Sequence, residues 1–126
     1  MINTQKYIRD NKEKFLSELF QLLRLPSISA DPKYSKDVTY TAEMVRDNLE
    51  KIGLTNCKLF ETDGFPIVYG EKIIDSNLPT VLIYGHYDVQ PPDPIDLWKS
   101  QPFEPEIRNE KIYARGACDD KGQFFM

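Results

Sequence analysis

The chain has 126 residues, 40 % of them hydrophobic, and sets 16 Lys and Arg against 20 Asp and Glu for a net charge of −4. That length suits one domain and the composition a globular fold, while the acidic balance excludes a nucleic-acid binder, which needs a basic face. No apolar run is long enough to cross a bilayer, and the first stretch, MINTQKYIRDNKEK, lacks the apolar core of a secretory signal, so the chain reads as cytoplasmic.

Residues 4–25 read as one helix. Ile8, Phe15, Leu19 and Leu22 recur on one stripe that Leu16, Phe20 and Leu23 widen. Asn3 or Thr4 could cap its start, and Pro26 stops it, because a residue before proline is pushed out of the α region. The stretch PSISADPKYSKD reads as loop. A second helix covers about residues 38–52, carried by Val38, Ala42, Val45, Leu49 and Ile52, with Gly53 as its C-terminal stop. Strand-like pieces follow at 56–62 and 65–73. At 80–86, TVLIYGH holds the continuous apolar run Val81 to Tyr84, which predicts a central strand buried on both faces. A proline-rich loop covers 91–105, and 105–116 reads as two short strands around a turn at Asn109–Glu110. The final DDKGQFFM could open a helix. Helices followed by strands predict an α/β fold, a mixed sheet flanked by helices. Cys57 and Cys118 sit in no metal-binding spacing and read as reduced thiols.

Two clusters can carry chemistry. His86, the one histidine of the chain, and Asp88 stand at the carboxyl end of the predicted central strand, where open α/β sheets place their ligand sites. In extended chain they share a side, so an imidazole able to bind zinc emerges beside a carboxylate able to orient it. The alternative is a surface histidine followed by an ordinary loop aspartate. The second cluster is ARGACDDKGQ, residues 114–123. Its adjacent carboxylates, Asp119 and Asp120, repel one another unless a cation is near. The alternative there is a solvated turn.

Together the clusters resemble a known family. Gly85-His86-Tyr87-Asp88-Val89, then Trp98, then Pro102-Phe103, then Ala114 through Gly122 follow a pattern of the cocatalytic zinc peptidases. These include carnosinase-type dipeptidases, carboxypeptidase G, and the acetylornithine and succinyl-diaminopimelate deacylases. The helix FLSELFQLLRLPSIS is similar to the family's opening, so the resemblance covers about residues 7–126. It implies that residues 1–126 are the N-terminal part of a zinc-aminopeptidase-like catalytic domain. It implies that His86 is a ligand of one metal, that Asp119 bridges two, and that Asp88 is the catalytic carboxylate supporting His86 without binding metal. It also implies a cis peptide between Asp119 and Asp120, with Arg115 and Lys121 holding the loop. The cofactor would be two divalent ions, zinc with manganese or cobalt as alternatives. The substrate would be a dipeptide or short peptide, cleaved at its amide bond; Asp120 resembles the dipeptidase branch, and a deacylase is the alternative.

The chain departs from the family in lacking a Glu-Glu pair and a second histidine. The general base, the remaining ligands and the lid domain, which forms homodimers in many members, are absent from these residues. The 126 residues alone are therefore expected to be inactive, and a non-catalytic truncated module is a further alternative. A sheet cut after its first strands also leaves Val81 to Tyr84 exposed to other chains.

Overall fold

The computed structural model describes residues 3–126; Met1 and Ile2, the start of the expected domain and of the N-terminal stretch read above, lie outside them. Where one helix is predicted over 4–25, two form: α1, Thr4–Asp10, and α2, Lys12–Leu23. Asn3 caps α1 by accepting from the Lys6 amide. The break falls at Asn11, whose side-chain amide donates back to the Tyr7 carbonyl at 2.9 Å. Asparagine competes in this way with the backbone's own ladder, and Asn11 leaves helical geometry at φ −111°, ψ 9°. The apolar stripe divides accordingly. Leu19, Leu22 and Leu23 of α2 are buried, and Ile8 of α1 is exposed.

A short 3₁₀ turn, Pro32–Tyr34, leads into α3, Ser35–Lys51. Val38 and Ala42 seal its inner face, while Ile52 lies past the helix end and is exposed. Gly53, at φ +90°, ends the helix as expected. The chain then turns into β1, Thr55–Phe60, and β2, Ile67–Glu71, an antiparallel pair packed against α3. A second antiparallel pair, β3 Glu106–Arg108 and β4 Lys111–Tyr113, is joined by the predicted two-residue turn. Asn109 and Glu110 both have positive φ, 50° and 61°, as a type I′ hairpin requires. Glutamate is a poor residue for that conformation, so Glu110→Gly is expected to raise the unfolding free energy by about 0.5 to 1 kcal/mol. Urea denaturation of the two proteins checks this. The chain ends in one turn of helix, α4, Lys121–Phe124.

The architecture is mixed α/β with helices and small sheets, but residues 80–86 correct the expectation of a central strand. They form no strand, and Val81 to Tyr84 are 81–89 % exposed. The apolar run has the composition of a doubly covered strand. Among the described residues, however, the paired strands are only β1 with β2 and β3 with β4. A strand exists only through its ladder, so this segment stays outside both sheets. No helix among the described residues is long and apolar enough to cross a membrane.

Candidate metal centre

The site is assembled from three segments that meet at the C-terminal end of α2. The first is Pro26–Ser29, immediately after the helix. Ile28 bridges Val89 in parallel register, the Val89 amide donates to the Ser27 carbonyl at 2.9 Å, and the Ser27 hydroxyl donates to the Tyr87 carbonyl at 2.7 Å. Ser27, Ile28 and Val89 are all buried. The second segment, Gly85 to Val89, is thus clamped along its length. Tyr87 adds a further tie through its hydroxyl, which donates to the Pro66 carbonyl at 2.6 Å. Burial, with help from Asp88 and Glu61, pushes that phenol up to about 12.

The third segment is the turn Gly116–Gly122. Its anchor is Lys121, a fully buried lysine whose Nζ donates to the carbonyls of Leu22 at 3.1 Å and Leu25 at 2.7 Å. The two carbonyls, at and just past the end of α2, also accept from the Leu25 and Ser27 amides, so the ammonium adds a further donor to each and ties the turn to the helix exit through two contacts. Burial lowers its pKa to about 7, opposed by the charge of Asp88. Close packing also dictates glycines here. A Cβ on Gly122 would lie 2.0 Å from the Ala117 carbonyl oxygen, and one on Gly85 would lie 2.7 Å from Cβ of Phe124. The Asp119–Asp120 peptide is cis, as is Asp93–Pro94.

Trp98 and Arg115 fix the intervening proline-rich loop. The indole donates to the Pro92 carbonyl at 2.7 Å, and the Arg115 guanidinium donates to the Pro91 carbonyl at 3.2 Å while stacking 5.4 Å from the Trp98 ring.

Within this frame the structure brings His86, Asp88, Asp119 and Asp120 together. His86 Nδ1 lies 3.1 Å from Asp88 Oδ1 and 3.2 Å from the Asp88 carbonyl. His86 Nε2 lies 3.0 Å from Asp119 Oδ1. The His86 amide donates to Asp120 Oδ2 at 3.0 Å, so Asp120 holds the backbone that carries the ring. Burial works against charge on the imidazole. The Asp119 hydrogen bond and the Asp88 contacts outweigh it, and the pKa of His86 is raised.

Two donors, His86 Nε2 and Asp119 Oδ1, point at each other from side chains that are 41 % and 74 % exposed. An imidazole braced on its far nitrogen by a carboxylate is the usual posture of a metal-ligating histidine, so this donor pair fits a divalent cation. The fit stops at two: no group of three or more His, Cys, Asp or Glu able to hold a metal occurs among the described residues. Sequence reasoning missed Ser27 and Ser29. Ser29 Oγ donates to Asp88 Oδ2 at 2.5 Å. The available signal was the alternation of two serines around an apolar residue directly after a helix-stopping proline.

Residues 82–126 match the profile of Peptidase family M20/M25/M40. The Cys-Gly metallodipeptidase DUG1 of Candida albicans is 36 % identical over a stretch covering 91 % of this chain and 27 % of that protein. The succinyl-diaminopimelate desuccinylase of Xylella fastidiosa is 32 % identical, covering 85 % of this chain and 27 % of its own length. The solved structure of the dipeptidase Dug1p of Saccharomyces cerevisiae superposes with a TM-score of 0.83 at 29 % identity, covering 93 % of this chain and 27 % of that one. The chain therefore spans about a quarter of the length of the relatives it matches. Over most of its length it is similar to part of these proteins, and residues 82–126 carry the match to family M20/M25/M40 itself.

Proposed function

We propose that residues 1–126 are the N-terminal part of a two-metal dipeptidase catalytic domain, and that they supply His86 and Asp119 as ligands of divalent metal, zinc foremost. The observation that carries this reading is the convergence of His86 Nε2 and Asp119 Oδ1 with the other ring nitrogen held by Asp88. A divalent ion bound by such a pair polarises an amide carbonyl and acidifies water. Asp88 orients the imidazole and offsets the charge that accumulates on it. Asp120 holds the His86 backbone, and Lys121 fixes the turn that carries Asp119. The substrate is a dipeptide such as Cys-Gly, after the activity named for the Candida relative. Two free cysteines fit a reducing, cytoplasmic setting.

A catalytic zinc ordinarily has three protein ligands, and this chain brings two together. The remaining ligands, the general base and the lid are assigned to residues outside 1–126, so the 126-residue protein is expected to bind zinc weakly and to leave Cys-Gly intact. Calorimetric titration with zinc tests the metal reading. His86→Ala is expected to weaken binding at least about tenfold, and unchanged binding in that variant would remove its basis. The desuccinylase match supports a deacylase as a second reading. A panel of Cys-Gly and N-succinyl-diaminopimelate, offered to a polypeptide carrying the complete ligand set, separates the two.

A further inference from the structure

We infer that Ser29 is a positioning residue that sets which nitrogen of His86 is free to take a metal, an inference that rests on the metal reading above. A neutral imidazole carries one proton and has two places for it. Here each ring nitrogen faces a carboxylate: Nδ1 faces Asp88 and Nε2 faces Asp119. With the proton on Nδ1, the Nε2 lone pair points toward Asp119 and is available to a cation. With the proton on Nε2, the lone pair points into Asp88 and the metal-binding nitrogen is blocked. The Asp88 carbonyl, 3.2 Å from Nδ1, also accepts a proton held there; beyond that, the balance depends on how firmly each carboxylate is held.

Asp119 Oδ1 belongs to a side chain that is 74 % exposed. Asp88 is half as exposed, at 36 %, and its second oxygen is engaged by the Ser29 hydroxyl. That hydrogen bond stops rotation of the carboxylate, so Oδ1 stays in line with Nδ1. Ser29 can impose this because its own backbone is fixed. Ile28 beside it is buried and bridged to Val89, and Ser27 is buried and bonded to both Tyr87 and Val89. The result is a chain of contacts, Ser29 to Asp88 to His86 to Asp119, that starts on the rigid exit of α2 and ends at the exposed donor.

Because His86 is the one histidine of the chain, ¹⁵N NMR reads its ring without overlap. At a pH above the end of the ring's titration, which the same ¹⁵N shifts follow, the metal-free protein is expected to hold the proton mainly on Nδ1. Ser29→Ala is expected to move the ratio of the two ring forms at least about twofold toward the Nε2-protonated form and to weaken zinc binding about tenfold. Ser29→Thr, which keeps the hydroxyl, restores both. Ser27→Ala lowers stability but leaves the ratio where it was, which separates positioning of Asp88 from general support of the loop. If Ser29→Ala shows the parent ratio and the parent zinc affinity, the inference is overturned. Failure of the parent protein to bind zinc at all would count against the metal reading instead, and the ring ratio alone then decides the role of Ser29.

Discussion

Replacing Lys121 with methionine is expected to lower the unfolding free energy by about 3 kcal/mol. The substitution keeps an unbranched chain in the same space but leaves the Leu22 and Leu25 carbonyls without the ammonium that now serves them. Both carbonyls keep a backbone donor, Leu25 or Ser27, so the loss is that of two hydrogen bonds to a charged group, worth about 1.5 to 3 kcal/mol each, a large part of the roughly 5 to 15 kcal/mol typical of a domain. Urea denaturation measures the loss, and a shift under about 0.5 kcal/mol would show that water replaces the ammonium. The same residue gives a pH signature. Its folded pKa, about 7, lies below the ordinary 10.5. Between those values the unfolded chain binds more protons, so stability rises as pH climbs through the window. The methionine variant should lose that slope. A slope that survives in it would have to come from other groups.

The second large effect concerns solubility. Val81 to Tyr84 expose four apolar side chains on backbone that belongs to neither sheet. Covering four such side chains is worth roughly 6 kcal/mol or more, and backbone outside a ladder invites pairing with another copy. Val81→Lys combined with Ile83→Lys is therefore expected to raise the concentration at which the protein self-associates at least about tenfold. The unfolding free energy should change by no more than about 0.5 kcal/mol, because neither side chain is packed. Analytical ultracentrifugation reads the first quantity and denaturation the second. A stability loss well above that figure would mean the segment is already buried in the isolated chain.

These two sites also show where sequence reasoning succeeds and where it stops. Local signals were legible. Proline and glycine marked the ends of helices, Asn109–Glu110 marked the hairpin turn, and the apolar spacing of α3 found its buried face. The break at Asn11 was not legible, because it depends on one side-chain amide turning back to a carbonyl four residues earlier. The strand at 80–86 was misjudged for a different reason. Its composition describes a preference for being covered, and coverage is a property of neighbours that this segment does not have here. At the site, the sequence pattern singled out His86, Asp88, Asp119 and Asp120, which the structure brings together. The contacts that hold the cluster did not show, since Lys121 reaches back 99 and 96 residues and Ser29 meets Asp88 across 59.

That reach has a consequence for the order in which the protein is made. The contacts from Lys121 to Leu22 and Leu25 join residues separated by 99 and 96 positions. Synthesis runs from the N-terminus at about 5 to 20 residues per second, so the carbonyls that end α2 wait roughly 5 to 20 s for their partner. Over that interval only the nearby Leu25 and Ser27 amides serve them, and the segment carrying His86 emerges before the turn that carries Asp119. High contact order of this kind slows folding. The donor pair therefore comes into being late, as one event with the locking of the helix end, and a nascent chain holds His86 without its partner until then.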